Sequence, residues 1–200
     1  DLLPLDRWAL GEAKTAAARI REAYERYEFH VVYHTLVNLC ATTLSSLYLD
    51  VIKDRLYASA PASPERRSAQ TALHRIGRVI STALAPIAPF TAEEIWEALP
   101  GGNEKEQSVH LARFESLTEL SDDPAARPAW ERLARLREEV SVVLEGARRE
   151  KTIGSSLEGA IALTADSALE ADRAATGTLG AGLADLFIVS EVLDGANATP

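Results

Sequence analysis

Apolar residues recur at helical spacing along most of the chain. Between Leu5 and about Tyr27, the residues Trp8, Leu10, Ala16 and Ile20 fall on one face with arginines between them, which predicts an amphipathic helix. Phe29, Val32, Tyr33, Leu36, Cys40, Leu44, Leu47 and Val51 keep the same spacing and predict a second long helix to about Tyr57. The stretch "ASAPASP" (58–64) is a loop that ends in a start signal, with Ser63 as N-cap and Pro64 at the first helical position. The third helix runs from there to about Leu84 and buries Leu73, Ile76, Val79, Ile80 and Leu84.

In "APIAPFTAEEIWEALP" (85–100), Pro86 and Pro89 are expected to end the third helix, since each lacks an amide donor. Thr91 and Glu94 then stand three apart as a capping box, flanked by Phe90 and Ile95 as a hydrophobic staple. The short fourth helix that follows is expected to turn Ile95 and Trp96 inward and to stop at "LPGG". Trp130 opens a fifth helix, with Leu133, Leu136, Val140, Val143 and Ala147 as its stripe.

Beyond about residue 151 the period changes. "EGAIALTAD" and "LFIVSEVLD" are short β-type runs on either side of an Ala-rich stretch with helical character, a β-α-β pattern. The expected fold class is therefore mainly α, a helical bundle followed by a small α/β (β-α-β) subdomain. The expected organisation places the bundle at 1–100 and a crossing segment at 101–128. The fifth helix, at 129–151, is expected to pack on the bundle, with the small subdomain at 152–200.

Composition adds several restrictions. With 200 residues, 46% of them hydrophobic, the chain can bury a proper core. A net charge of −9 argues against a nucleic-acid binder, yet the charge is uneven. Residues 1–100 hold 11 Lys and Arg against 12 Asp and Glu, whereas residues 101–200 hold 10 against 18. Acid is thus concentrated at the far end, and local basic clusters survive in the first half. The opening carries no signal-peptide pattern, and no apolar run approaches the roughly 20 residues that span a bilayer. One cysteine, Cys40, allows neither an internal disulfide nor a cysteine zinc site, which fits a reducing, cytoplasmic location. The chain has no methionine, so a removed initiator or a cut from a longer protein is expected.

No catalytic or metal site emerges. His30 and His34 are four apart, but Val31 stands where a zincin helix needs glutamate, so both are expected to be packing or surface residues. "GSSLEG" (154–159) lacks nucleophile-elbow spacing, and "GTLGAG" (177–182) lacks dinucleotide-binding spacing. Cys40, on the apolar stripe, is expected in the core. The basic residues hold more information. Lys53 and Arg55 end the second helix, where cations also suit the dipole. Arg66 and Arg67 lie in the first turn of the third helix, the wrong end for that dipole, with Arg75 and Arg78 further along. These six are the candidate residues for a phosphate-bearing partner. Arg148, Arg149 and Lys151 end the fifth helix, where the dipole is sufficient reason.

Six blocks then stand out in order. They are "LDRWAL" (5–10), the run "YERYEFHVVYHTLVNLCATTLSSLYLDVIKDRLY" (24–57), "SPERRSAQTAL" (63–73), "LAPIAPFTAEEIWEALP" (84–100), "SVHL" (108–111) and "IGSSLEG" (153–159). Together they resemble the C-terminal anticodon-binding region of isoleucyl-tRNA synthetases. Valyl-tRNA synthetases share the first helices in outline, but "LYLDVIKDRLY" and "IGSSLEG" look more like the isoleucine enzyme. The resemblance implies a module that binds the anticodon stem-loop of isoleucine tRNA, within a monomeric ATP- and magnesium-dependent ligase. The family's H-I-G-H and K-M-S-K-S signatures are missing, as is the cysteine-rich zinc module of many bacterial members. The resemblance therefore implies a piece that is itself non-catalytic and holds no cofactor, with the remaining domains of the same synthetase as its other partner. The competing expectation is an acidic helical scaffold that binds protein, and an exposed apolar groove would favour it.

Overall fold

Pro4 occupies the first turn of α1 (Pro4–Glu25), where its missing amide proton costs nothing. The helix buries Ala9, Leu10, Ala13, Ala17 and Ile20, and the small alanines let neighbouring helices approach closely. At its end Tyr27 adopts φ 59°, and Glu28 N donates back to Ala23 O at 2.8 Å, which reverses the chain into α2 (Phe29–Asn38). The computed structural model describes residues 2–101, 105–118, 120, 122–163, 167–177 and 182–194. These fall into two compact units, Asp1–Asp123 and Pro124–Pro200.

In the first unit, α2 continues as a π-helical segment over Leu39–Tyr48, then α3 (Leu49–Val51) and α4 (Lys53–Tyr57). The wider winding changes the burial pattern. Val32, Leu36 and Leu39 are buried at spacings of four and three, and the next buried residue is Leu44, five further on. A uniform helical period puts Cys40 in the core, but the π turn rotates it out and it is exposed. Phe29 and Tyr33, expected on the same stripe, are also exposed.

Helix α5 (Pro64–Leu84) begins as its sequence signals, with Ser63 Oγ accepting from Arg66 N at 3.3 Å. Its buried side, Ala69, Ala72, Ile76, Val79 and Ala83, packs against α1. The next corner differs from the expected one. Helix α6 (Pro89–Ala98) starts three residues early, with Ala88 at the N-cap and Pro89 inside the first turn. A proline that stops one helix is equally able to open the next, because a first-turn amide has no intrahelical acceptor. Thr91 is therefore within the helix and caps nothing, and Phe90, 83% exposed, forms no staple. Trp96 does turn inward, 1% exposed, and packs with Ala92 and Val109.

Residues 105–118 belong with this first unit and strap along it. Trp96 Nε1 donates to Glu106 O at 2.8 Å, and Glu93 Oε2 accepts from Ser108 Oγ and Val109 N at 2.8 and 3.0 Å. Arg21 donates to the carbonyl of Glu115, whose carboxylate pairs with Arg78.

The second unit contains α7 (Arg127–Arg149), β1 (Ala160–Leu163), α8 (Ser167–Thr176), α9 (Gly182–Phe187) and β2 (Glu191–Asp194). The two strands pair in parallel, Ala160 opposite Glu191 and Leu163 opposite Asp194, and α8 and α9 make the crossover. The β-α-β expectation is thus realised with the fifth helix as part of the same unit, since α7 packs on α8 and α9. Leu144 takes the buried place expected for Val143, which is 72% exposed. Leu186 and Phe187, read as strand, are the buried end of α9.

Arg132 clamps the buried Asp172 of α8 in bidentate fashion, Nε to Oδ2 at 2.8 Å and Nη2 to Oδ1 at 2.5 Å. These hydrogen bonds outweigh burial and hold the Asp172 carboxyl below its usual range. A depressed folded-state pKa gives stability that is present above the unfolded carboxylate value and lost as pH falls through the folded one. Hydrogen exchange of the α7 amides should therefore accelerate as pH drops below about 4, after correction for intrinsic rates. Asp172→Asn should remove that acid limb, and an unchanged limb in the variant would assign it to other carboxylates.

Candidate nucleic-acid interface

Positions of the six basic candidates follow from the helices that carry them. Lys53 and Arg55 lie on α4, immediately after Ile52 breaks the preceding helical run. Lys53 Nζ reaches back to Asp50 Oδ1 at 2.7 Å. Arg55 turns inward, only about one-fifth exposed, with Nη1 3.8 Å from Asp6 Oδ2. Asp6 is fully buried and also accepts from Tyr48 Oη at 2.7 Å and from Ser68 Oγ. Burial first and Asp6 second push the Tyr48 phenol far above its usual value, so it remains a donor at every working pH.

The α5 pair divides. Arg66 lies along the preceding loop and donates from Nη1 to Ser59 O at 3.1 Å. Its backbone amide is already used by Ser63, so the first-turn amides are not all available to a phosphate. Arg67 is exposed, and among the described residues its side chain has neither an ion pair nor a hydrogen bond. Arg75 is partly buried, eight residues or about two turns on. Arg78 is committed to structure: its guanidinium lies 4.8 Å from the centre of the Trp96 ring and pairs with Glu115. The structure therefore does not gather the six into one free cationic stripe. Lys53, Arg55, Arg66 and Arg78 have intramolecular partners, and Arg67 presents its charge to solvent.

Arg67 stands at the head of a polar row that the basic pattern alone does not reveal. Gln70 and Thr71 follow it about one turn along α5 and His74 about two turns along, the first two exposed and His74 partly buried. Opposite them, Leu99 and Pro100 at the end of α6 form the other wall of a groove of about 640 Å³. Lys105 Nζ holds that wall by donating to Leu99 O at 2.6 Å. Desolvation first, and then Arg78, hold the His74 imidazole below its usual pKa, so it is neutral near pH 7. A signal for this row exists in the sequence, namely R-x-x-Q-T-x-x-H on a helix whose apolar stripe faces the other way.

A second groove has a different character. Tyr33, Val37 and Cys40 on one side and Ile80, Ile87 and Ile95 on the other enclose about 250 Å³ with an apolar lining. His30 and His34 are exposed, and no group of three His, Cys, Asp or Glu able to hold a metal occurs among the described residues.

Comparisons with known proteins place this geometry. Residues 6–164 match the family described as the anticodon-binding domain of tRNA ligase. The chain is 46% identical over 196 residues to isoleucine–tRNA ligase of Syntrophotalea carbinolica, covering 96% of this chain and 20% of that protein. It is 45% identical over 193 residues to the same ligase of Moorella thermoacetica, again 96% and 20%. With that of Nitratidesulfovibrio vulgaris strain Hildenborough it shares 44% identity over 198 residues, 98% and 21%. The chain thus spans about a fifth of the length of the curated relatives it matches.

Proposed function

The chain belongs to the anticodon-binding domain family of tRNA ligases, and on that premise we propose that it grips the anticodon stem-loop of isoleucine tRNA. The observation that carries this reading is the family match across 6–164, which takes in nearly all of the first helical unit and about the first half of the second. Isoleucine is chosen over valine because the relatives at 44–46% identity are isoleucine–tRNA ligases. Under the same reading, the ATP- and magnesium-dependent joining of isoleucine to tRNA, and any zinc, belong to other parts of a cytoplasmic, monomeric ligase. The role of this part is to hold the RNA in position.

Physically, a packed helical unit suits the task. Single-stranded loops are where RNA exposes base edges and faces, and a rigid scaffold presents side chains to them at fixed heights. Backbone contacts set the register and base contacts supply selectivity. Arg67 is the cation best placed for a phosphate, because it does not have to abandon an internal partner. The acidic half would be turned from the RNA by like-charge repulsion. No helix among the described residues is long and apolar enough to cross a membrane. The apolar groove beside α2 supports a further contact, with the remaining domains of the same ligase.

Fluorescence anisotropy of a labelled isoleucine anticodon hairpin, titrated with this chain over a salt series, tests the reading. Log affinity should fall linearly with log salt, with a slope of about −0.7 to −0.9 for each phosphate neutralised. Arg67→Ala should weaken binding and flatten that slope by about one, with an unchanged melting temperature. A response independent of salt sinks the proposal. A valine anticodon hairpin that binds equally well would leave a grip without isoleucine selectivity.

A further inference from the structure

The groove between α5 and the end of α6 combines features that suit one particular kind of ligand. Its walls are mostly apolar: Leu73 on α5 faces Leu99 and Pro100 across the space. Gln70 and His74 bring hydrogen-bonding groups to the α5 rim, and Arg67 adds a charge at one end. Among the described residues, neither Gln70 nor Arg67 spends its side chain on an intramolecular hydrogen bond or ion pair. The surroundings are positive. Arg78, Lys105 and Arg75 all act on His74, against the single carboxylate of Glu115, which is itself paired with Arg78.

We propose that this groove receives one unstacked nucleotide of a single-stranded RNA loop, with its base against Leu99 and Pro100, its edge on Gln70 and His74, and its phosphate on Arg67. The proposal rests on the tRNA-binding reading and deepens it by assigning a place to one nucleotide. The space, about 640 Å³, lies in the range of small-molecule sites and exceeds what one base needs. An apolar wall suits the face of any base, while a carboxamide and a neutral imidazole each offer both donor and acceptor to its edge. An acidic peptide would use Arg67 but leave Gln70 and His74 without flat partners. An apolar helix would bury both unsatisfied.

The wall itself is built for a fixed position. Gly77 sits in the interior of α5, where glycine weakens a helix by up to about 1 kcal/mol relative to alanine. A Cβ there would come within 2.6 Å of Leu99 Cδ2. Glycine thus lets Leu99 settle against α5, while Lys105 holds the Leu99 carbonyl from the other side.

A double-mutant cycle between protein and RNA tests this on the whole chain. Isoleucine anticodon hairpins are made with an abasic site at one loop position at a time, and their affinities are measured for the parent chain and for Gln70→Ala/His74→Ala. One abasic position should lose about tenfold on the parent chain and lose nothing more on the double variant. The double variant should keep the parent's salt slope, because it removes no phosphate contact. Gly77→Ala should displace Leu99 and reproduce the loss while leaving the melting temperature equal or higher. If the parent chain binds intact hairpin but no abasic position is coupled to the variants, the nucleotide site is wrong and the tRNA-binding reading stands. If the parent chain does not bind the hairpin at all, both fall.

Discussion

Asp6→Ala should destabilise the first helical unit by about 3–5 kcal/mol, the cost of leaving a buried charge unpartnered. Asp6 is fully buried and is the common acceptor for Tyr48 Oη at 2.7 Å and Ser68 Oγ, with the Arg55 guanidinium at 3.8 Å. Asp6 lies on α1 and these partners come from the π-helical segment, α4 and α5, so one carboxylate ties four elements of the unit together. Ser68 Oγ also accepts from Leu3 N at 2.7 Å, which fixes the entry into α1. Alanine would leave a phenol, a hydroxyl and a largely buried guanidinium without their acceptor. The Arg55 Nη1 atom already lacks a hydrogen bond, so nothing nearby replaces the loss.

The measurement is urea unfolding followed by helical circular dichroism. Asp6→Ala should move the first transition to markedly lower urea, whereas Tyr48→Phe, which removes one hydrogen bond, should cost about 1 kcal/mol. A change below about 1 kcal/mol for Asp6→Ala would show that the carboxylate does not hold the helices together. Arg55 is then best understood as part of this network and not as an RNA contact. Arg55→Ala should lower stability more than it lowers hairpin affinity.

Trp96→Ala should be nearly as damaging, about 3–5 kcal/mol, by the cavity it opens. The indole is 1% exposed, packed with Ala92 and Val109, and its Nε1 donates to Glu106 O at 2.8 Å. Arg78 covers one part of the ring at 4.8 Å and Lys105 another at 5.6 Å. Truncation therefore removes the anchor of the 105–115 strap as well as core volume. The strap should become cleavable by trypsin at Lys105 or Arg113 before the helices unfold. Trp96→Phe separates the two contributions, since it keeps most of the ring and loses the hydrogen bond. If the strap resists trypsin in Trp96→Ala as it does in the parent chain, Glu115 and its arginines hold it without the indole.

Legibility in the sequence varied with the range of the interaction concerned. The start of α5 was readable because Ser63 and Pro64 act on amides three residues away or fewer. The corner before α6 is ambiguous in the sequence because two local signals compete there. A first-turn proline and a Thr-x-x-Glu box cannot both start the same helix, and Pro89 prevails. Cys40 and Val143 depart from the sequence pattern because a uniform period carries no information about a π turn or about which neighbour a helix meets. The basic residues were visible, but their availability was not. Arg78 is taken by Glu115, 37 residues away, and Arg55 faces Asp6, 49 residues back along the chain.

By itself the sequence determined the mainly helical class, the closing β-α-β unit and the kinship with tRNA ligases. Each of these rests on periodicity, on short-range capping or on ordered blocks of residues. Only the tertiary structure decided which cations remain free and where a nucleotide-sized groove opens. Long side chains choose partners through space, and a carboxylate brought close by folding competes for a guanidinium before any RNA arrives. Arg67 and the row behind it stay open because α6 ends in Leu99 and Pro100 opposite them, and among the described residues no acid lines that groove.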